Sequence, residues 1–245
     1  MLAPLAIAFL ASICLLVQPT INPPSKDPMP ASSPTAVTPE FHEGTHERHE
    51  RFNAISKQGA AQLVFLGDSI TQGWEVEGKA AWEASYEKRH AANFGVSGDR
   101  TEHVLWRLDH GNFDGLRPKL IVVMIGTNNT SQRMDKAEDT AAGIRAILNR
   151  LEVKCPGSKV LLLAIFPRGE KADDPGRQRN QQVNALIARF ADDTRVYFKD
   201  IGGAFLNADG TLKKNLMPDT VHPSSSGYDA WAEAIEGDVA KLMAD

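Results

Sequence analysis

The sequence has almost no cysteine and no block of basic residues, and each absence removes a class of protein. Its two cysteines, Cys14 and Cys155, form no Cys-x-x-Cys pair, and Cys14 lies in an apolar N-terminal segment. A single thiol in the folded part excludes an intrachain disulfide framework and a cysteine-rich metal site. The formal net charge is −4, so nothing favours binding to nucleic acid. What remains is a globular chain of 245 residues, long enough for one α/β domain with additional segments.

Long apolar runs are also scarce, and the longest one lies at the N terminus. Residues 1–18 are almost wholly apolar, but this stretch is short for a membrane span. It has the character of a signal peptide, with an uncleaved N-terminal membrane anchor as the alternative. Residues 19–39 contain seven prolines among serine, threonine and alanine, which predicts a disordered linker. We therefore expect an exported protein, secreted or periplasmic, whose folded domain spans residues 40–245.

Short apolar runs alternate with helical patterns along the rest of the chain. Each run has the length of a buried strand, and the β-branched run Leu120–Ile125 is the clearest of them. Strands that alternate with helices predict a parallel sheet with helices on both faces. The five predicted strands are 63–66, 91–94, 120–125, 160–166 and 196–198. The main predicted helices are 40–57, 74–88, 136–152, 177–191 and a final one over 224–243.

The first predicted helix carries three histidines, His42, His46 and His49, at positions i, i+4 and i+7. This spacing places them on one helix face, where a metal site is conceivable. No carboxylate or cysteine ligand set accompanies them, and glutamate and arginine lie between them. We therefore favour a solvated helix face and predict no metal.

Small and polar residues follow three of the predicted strands or precede the last helix. Gly67 ends the first strand, and Ser69 follows it at a predicted helix start, at the strand edge where open α/β sheets bind ligands. Gly98 lies in a glycine-rich turn after the second strand, and Asn128 follows the third. Each residue alone is explained equally well by a turn or a helix cap. Asp219 and His222 lie in a loop before the final helix, because Pro223 disfavours helical geometry at His222.

Taken together, these residues are the types that acyl transfer requires. A serine hydroxyl is a weak nucleophile that needs a base and a group to orient that base, and Ser69, His222 and Asp219 supply the three types. The oxyanion formed on attack needs hydrogen-bond donors. The N–H groups of Ser69 and Gly98 and the side-chain amide of Asn128 would supply three. The chain contains no Gly-x-Ser-x-Gly elbow of the α/β-hydrolase kind.

The ordered set of motifs resembles the SGNH (GDSL-type) hydrolase superfamily. The motifs are Gly67-Asp68-Ser69, Gly98, Gly126-x-Asn128 and Asp219-x-x-His222. Residues 93–108, 126–129 and 167–169 are similar, in addition, to the catalytic subunits of intracellular platelet-activating-factor acetylhydrolases. The resemblance implies a flavodoxin-like α/β/α sandwich without metal or organic cofactor.

The same resemblance implies residue roles and a reaction. Ser69, His222 and Asp219 would form a catalytic triad, with Gly98 and Asn128 in the oxyanion hole. Matching positions place Ile70, Thr127 and Val221 in a small acyl pocket, which favours short acyl groups such as acetyl.

We therefore expect a serine esterase that acts on a small-molecule or glycan ester. An acyltransferase that uses a sugar acceptor requires the same residues and is one alternative. A non-catalytic module that binds carbohydrate or lipid on the same fold is the other. The sequence leaves the oligomeric state open, a homodimer included.

Overall fold

The computed structural model describes residues 34–244, and its centre is one parallel sheet of five strands. The strand order is β2-β1-β3-β4-β5, the order of flavodoxin-like folds. Every neighbouring pair is parallel, as expected for strands joined through helices. The predicted α/β class and strand count are confirmed. The strands are β1 Leu63–Gly67, β2 Ala91–Gly95, β3 Leu120–Met124, β4 Lys159–Leu163 and β5 Val196–Lys199.

Helices cover both faces of the sheet and make a three-layer α/β/α sandwich. The α-helices are α1 Pro34–Val37, α2 His46–Gln58, α3 Ser69–Gln72, α4 Lys79–Ser85, α5 Thr101–Asp109, α6 Ala137–Lys154, α7 Pro175–Ile187 and α8 Ser225–Ala244. The predicted helix over 74–88 is broken into α4 and short 3₁₀ turns at 73–75 and 87–89. Further 3₁₀ turns span 188–190 and 202–205, and one π-helical turn spans 129–133.

The sheet divides the core into two apolar clusters because successive strand residues point to opposite faces. Val64 and Ile121 belong to the cluster that also contains Phe52 of α2 and residues of α5, α6 and α7. Phe65 and Val122 belong to the other cluster, which α4 and α8 cover with aromatic residues. Strands buried on both faces explain why the sequence shows continuous apolar runs instead of alternation.

The segment before α2 packs on the domain instead of forming a spacer. Ala36 is fully buried, and its carbonyl accepts a hydrogen bond of 2.9 Å from Thr101 Oγ1. Gly143 of α6 permits this approach, because a Cβ at Gly143 would lie 2.7 Å from the Ala36 carbonyl oxygen. The expectation that 19–39 is wholly a linker is therefore wrong for 34–37, because these residues form α1 and pack on α5 and α6.

The remaining predictions for the N terminus concern residues outside those that the structure describes. The predicted signal peptide or anchor at 1–18 lies there, as does the linker up to residue 33. Among residues 34–244, no helix combines the length and the apolar character needed to cross a membrane.

The three N-terminal histidines do not share one solvated helix face. The helix begins only at His46, so His42 lies in the preceding loop. His49 is buried, and its ring nitrogens contact the side-chain amides of Asn53 and Asn112. Burial lowers the pKa of His49, since removal from water disfavours the charged imidazole. The solvated-face interpretation is therefore wrong for His49, and of the three only His46 is exposed.

Candidate active site

The turn that carries Ser69 requires a glycine before it. A Cβ added at Gly67 would lie 2.1 Å from Thr71 Oγ1 and 2.4 Å from the Met124 carbonyl oxygen, so no larger residue fits. Asp68 then caps α3, with Oδ1 accepting a hydrogen bond of 3.0 Å from Ile70 N–H. This strand–turn–helix arrangement leaves Ser69 half-buried at the carboxyl edge of the sheet.

The structure brings Ser69, His222 and Asp219 together in that order. Ser69 Oγ lies 2.9 Å from His222 Nε2, and His222 Nδ1 lies 2.6 Å from Asp219 Oδ2. A carboxylate only accepts hydrogen bonds, so the imidazole donates from Nδ1 and Nε2 can accept from the serine hydroxyl. This is the order of hydroxyl, imidazole and carboxylate that nucleophilic catalysis by serine requires.

The loop before α8 fixes the carboxylate relative to the imidazole. Asp219 Oδ1 accepts hydrogen bonds from the backbone N–H groups of Val221 at 2.9 Å and His222 at 2.7 Å. Thr220 between them adopts a left-handed φ of 67°, which is rare for a β-branched residue and is found at strained functional sites.

The protonation of Asp219 follows from these contacts. Partial burial acts to raise the pKa of this carboxyl, but the hydrogen bonds from the His222 backbone and side chain and from Val221 N–H outweigh it. The pKa of Asp219 therefore lies below its ordinary value, and the group is a carboxylate at neutral pH.

Gly98 and Asn128 come shortly after β2 and β3, the two strands that pair with β1. Gly98 has a φ of 80°, a left-handed conformation that glycine adopts freely. Asn128 is buried, and its Nδ2 donates to the Asp99 carbonyl oxygen at 2.9 Å. Gln132 Nε2 donates to Asn128 Oδ1 at 3.2 Å, which fixes the orientation of the amide. An amide nitrogen carries two hydrogens, and the bond to Asp99 uses one of them.

Asp99 stands just before α5 but does not cap it, since the N-cap residue is Arg100. The side chain of Asp99 is fully buried, and Oδ2 accepts a hydrogen bond of 2.9 Å from Arg107 Nε. Arg107 is buried too, and it also donates to Asn112 Oδ1 and to the Phe94 carbonyl oxygen. A buried carboxylate with a hydrogen-bonded guanidinium avoids the high free-energy cost of an isolated buried charge.

The residues predicted to line an acyl pocket are only in part at the surface. Ile70 is 2% exposed and belongs to the apolar cluster under α8. Thr127 is equally buried, and its Oγ1 accepts a hydrogen bond of 3.3 Å from Arg168. Val221 is half-buried in the loop between Asp219 and His222. Their role as an acyl pocket remains a prediction.

Three side chains near Gly98 have the residue types of a metal site. Ligand atoms of His42, Asp99 and His103 lie within 4.8 Å of one another. His103 Nδ1, however, accepts a hydrogen bond of 3.1 Å from Arg100 N–H, and Arg107 is paired with Asp99. The lone pair of His103 Nδ1 is already used by a hydrogen bond, and the positive charge of Arg107 lies beside Asp99. This set of side chains therefore does not fit a cation.

Some residues of the site carried no interpretable signal in the sequence. Gln132, which orients Asn128, lies four residues after it, a spacing that matters only on a helix. The helical turn at 129–133 has no apolar periodicity, so this spacing could not be interpreted.

The fold and the position of Ser69 point to an acyl-ester hydrolase of the SGNH kind, and comparison with known families gives the same answer. Residues 65–230 match the model of the GDSL-like Lipase/Acylhydrolase family, to which this chain belongs. It is accordingly a carboxylic ester hydrolase, and the resemblance inferred from the motifs is confirmed.

Named relatives are similar to this chain over most of its length. Human platelet-activating factor acetylhydrolase IB subunit alpha1 is 37% identical over 217 residues, covering 88% of this chain and 91% of the relative. The rat alpha2 subunit is 37% identical over 182 residues, or 74% and 77% of the two chains.

Solved structures share the fold at lower identity. A GDSL-like lipase from Bacteroides thetaiotaomicron has a TM-score of 0.63 at 23% identity, covering 80% of this chain and 97% of its own. An acetylxylan esterase from Geobacillus stearothermophilus has a TM-score of 0.59 at 21% identity, with coverages of 76% and 96%.

Proposed function

We propose that this protein is a serine esterase that removes short acyl groups, acetyl above all, from oxygen esters. The observation that carries the proposal is the 2.9 Å contact between Ser69 Oγ and His222 Nε2, two residues 153 positions apart. The relatives named acetylhydrolase and acetylxylan esterase support acetyl as the acyl group. They differ in the alcohol, which is therefore left open between a lipid and a sugar.

In the first half of the reaction, Ser69 Oγ attacks the ester carbonyl while His222 Nε2 takes the hydroxyl proton. Asp219 holds the imidazole by its Nδ1–H and stabilises the positive charge that forms. The N–H groups of Ser69 and Gly98 and the free amide hydrogen of Asn128 bind the oxyanion. Collapse expels the alcohol, which leaves with the proton held on His222.

In the second half, water attacks the acyl-serine and His222 takes one of its protons. The second tetrahedral intermediate collapses to release the carboxylic acid and return the proton to Ser69. A sugar hydroxyl in place of water would give acyl transfer, so the same residues serve both reactions. Ile70, Thr127 and Val221 would limit the length of the acyl chain.

The N-terminal segment bears on where this reaction takes place. We propose export to the periplasm or the exterior, because residues 1–18 have the composition of a signal peptide and prolines follow. An acetylated glycan is the ester that such a location favours. Detection of the mature N terminus by mass spectrometry after expression tests this part of the proposal.

The decisive experiment replaces Ser69 by alanine and measures p-nitrophenyl acetate hydrolysis. Loss of the nucleophile should lower kcat by about 10⁴-fold or more, with unchanged thermal unfolding. Ser85→Ala, at the end of α4, is the matched control and should keep parental activity. Retention of activity in Ser69→Ala, or labelling of this variant by a fluorophosphonate probe, would refute the assignment of the nucleophile.

Substrate class requires a separate measurement. A series of p-nitrophenyl esters from acetate to octanoate should show a steep fall in kcat/KM with chain length. Acetylated xylo-oligosaccharides and a 2-acetyl phospholipid then distinguish the sugar from the lipid alcohol. Product analysis with and without a sugar acceptor separates hydrolysis from transfer.

A further inference from the structure

The chain segment before α2 reaches the rim of the site and brings a histidine to it. Beyond the contact of Ala36 with α5, Glu40 N–H donates to the Glu102 carbonyl oxygen at 3.2 Å. The ring of Phe41 packs on Trp106 with centroids 4.7 Å apart. His42 follows directly, so its backbone is held against α5 before α2 begins.

The imidazole of His42 lies between Asp99 and Gly98. Its Nδ1 is 2.8 Å from Asp99 Oδ1, and because a carboxylate only accepts, Nδ1 is the donor. The ring stacks on His103 with centroids 4.4 Å apart and an interplanar angle of 19°. A Cβ at Gly98 would lie 3.1 Å from His42 Cε1, so the ring is in contact with this glycine.

Asp99 connects His42 to the Gly98 N–H and the Asn128 amide, the two proposed oxyanion donors other than the Ser69 N–H. Its backbone carbonyl accepts from Asn128 Nδ2 at 2.9 Å, and its N–H closes a turn with the Val96 carbonyl around Gly98. The carboxylate is held from both sides, with Oδ1 bound by His42 and Oδ2 by Arg107. A shift of Asp99 would therefore move the Gly98 N–H and the Asn128 amide together.

We infer that His42 is a positioning residue of the oxyanion hole, acting through Asp99 on the donors of Gly98 and Asn128. This inference rests on the proposed function, since it assigns those two donors to the oxyanion. Arg107 binds only Oδ2 of Asp99, so without His42 the other carboxylate oxygen would lack its hydrogen-bond donor. The hydrogen bond and the ring contact of His42 hold the Gly98–Asp99 peptide in one place. The segment before α2 thus completes the catalytic machinery.

Two substitutions test this role in the full chain. His42→Leu removes the donor and should lower kcat about tenfold, less than the 10²–10³-fold loss typical for an oxyanion donor itself. KM should stay within about twofold, because the donors act mainly on the transition state. His42→Asn places an amide N–H near the position of Nδ1 and should restore most of kcat. His46→Leu, an exposed histidine of α2, is the matched control.

The outcomes separate positioning from a general structural effect. Thermal unfolding of each variant fixes an assay temperature at which all are folded. Parental kcat in His42→Leu, or equal kcat in His42→Leu and His42→Asn, would overturn the inference. An increase in KM that accounts for the whole loss would also overturn it, because it would place His42 in substrate binding.

A double-mutant cycle with Asn128→Ala tests the route through Asp99. If His42 acts on the Asn128 amide, the double variant should lose less than the product of the two separate losses. Independent losses that multiply would overturn this route.

Failure of this inference is distinguishable from failure of the proposed function. Parental kcat in His42→Leu together with loss of activity in Ser69→Ala would remove only the role of His42. Activity in Ser69→Ala removes the proposed function, and the inference with it.

Discussion

The two sides of the active site differ in how firmly the protein holds them. On the side of Gly98, Asp99 and Asn128 are buried and belong to a hydrogen-bonded network with Arg107. On the side of His222, this residue and Asp219 lie on a loop with their side chains 45% and 55% exposed. This difference in burial leads to different expectations for substitutions on the two sides. We therefore expect substitutions on the buried side to affect both folding and activity, and substitutions on the exposed side to affect activity alone.

Two aspartates show the same contrast in their protonation. Burial is the main effect on Asp68, next to Ser69, and raises its pKa to about 7. Asp219 has its pKa lowered because hydrogen bonds to its carboxylate outweigh its partial burial. Burial in the protein interior thus brings the pKa of Asp68 close to neutral pH, whereas hydrogen bonds from neighbouring groups keep Asp219 ionised at that pH.

The largest effect is expected from the exposed side. Replacing His222 by alanine should lower kcat by about 10⁴-fold or more, since the serine then lacks its base. The free energy of unfolding should change by no more than about 0.5 kcal/mol, as is usual for an exposed position. Ester hydrolysis and urea denaturation measure the two quantities, with His46→Ala as the control. A large loss of stability would contradict the contrast between the two sides.

The next largest effect belongs to the buried side. Arg107→Met leaves the Asp99 carboxylate buried without its guanidinium, which should destabilise the protein by about 3–5 kcal/mol. Arg150→Met breaks an exposed pair with Asp109 and should change the free energy of unfolding by about 1 kcal/mol or less. Urea denaturation at pH 7 compares the two variants, and equal changes would mean that burial of the pair contributes nothing.

The smallest effect is a change in pH dependence. The pKa of Asp68 is about 7 in the folded state and about 4 when unfolded, so the unfolded state ionises first as pH rises. The free energy of unfolding therefore falls between about pH 4 and 7, where Asp68 is ionised in the unfolded state but still protonated in the folded state. Asp68→Asn should remove this loss, so that its free energy of unfolding exceeds that of the parent by more at pH 8 than at pH 5. A difference independent of pH would contradict the raised pKa.

The sequence predicted the sheet well because its strands are buried on both faces. Runs such as 63–66 and 120–125 are continuous and apolar, and turn residues bound them on each side. Ser69, Asn128 and His222 were identifiable because they follow strand ends or precede the last helix. Those positions meet at one edge of any parallel sheet.

The network around Asp99 could not be predicted from local patterns. His42 and Asp99 are 57 positions apart, and each has a plain local explanation as a loop or a cap residue. The position of His42 depends on the packing of 34–41 against α5, where prolines and small residues indicated a linker. Partners joined by tertiary packing leave no periodicity in the sequence.

The two ends of the described chain, residues 34 and 244, lie beside different parts of the fold. Residue 34 is eight positions from His42, a span of at most about 30 Å. The last helix instead ends where the Met243 carbonyl oxygen accepts a hydrogen bond of 3.0 Å from Lys119, which directly precedes β3. A fusion partner joined directly before residue 34 would therefore start within about 30 Å of His42, whereas one joined after residue 244 would start beside the residue that precedes β3.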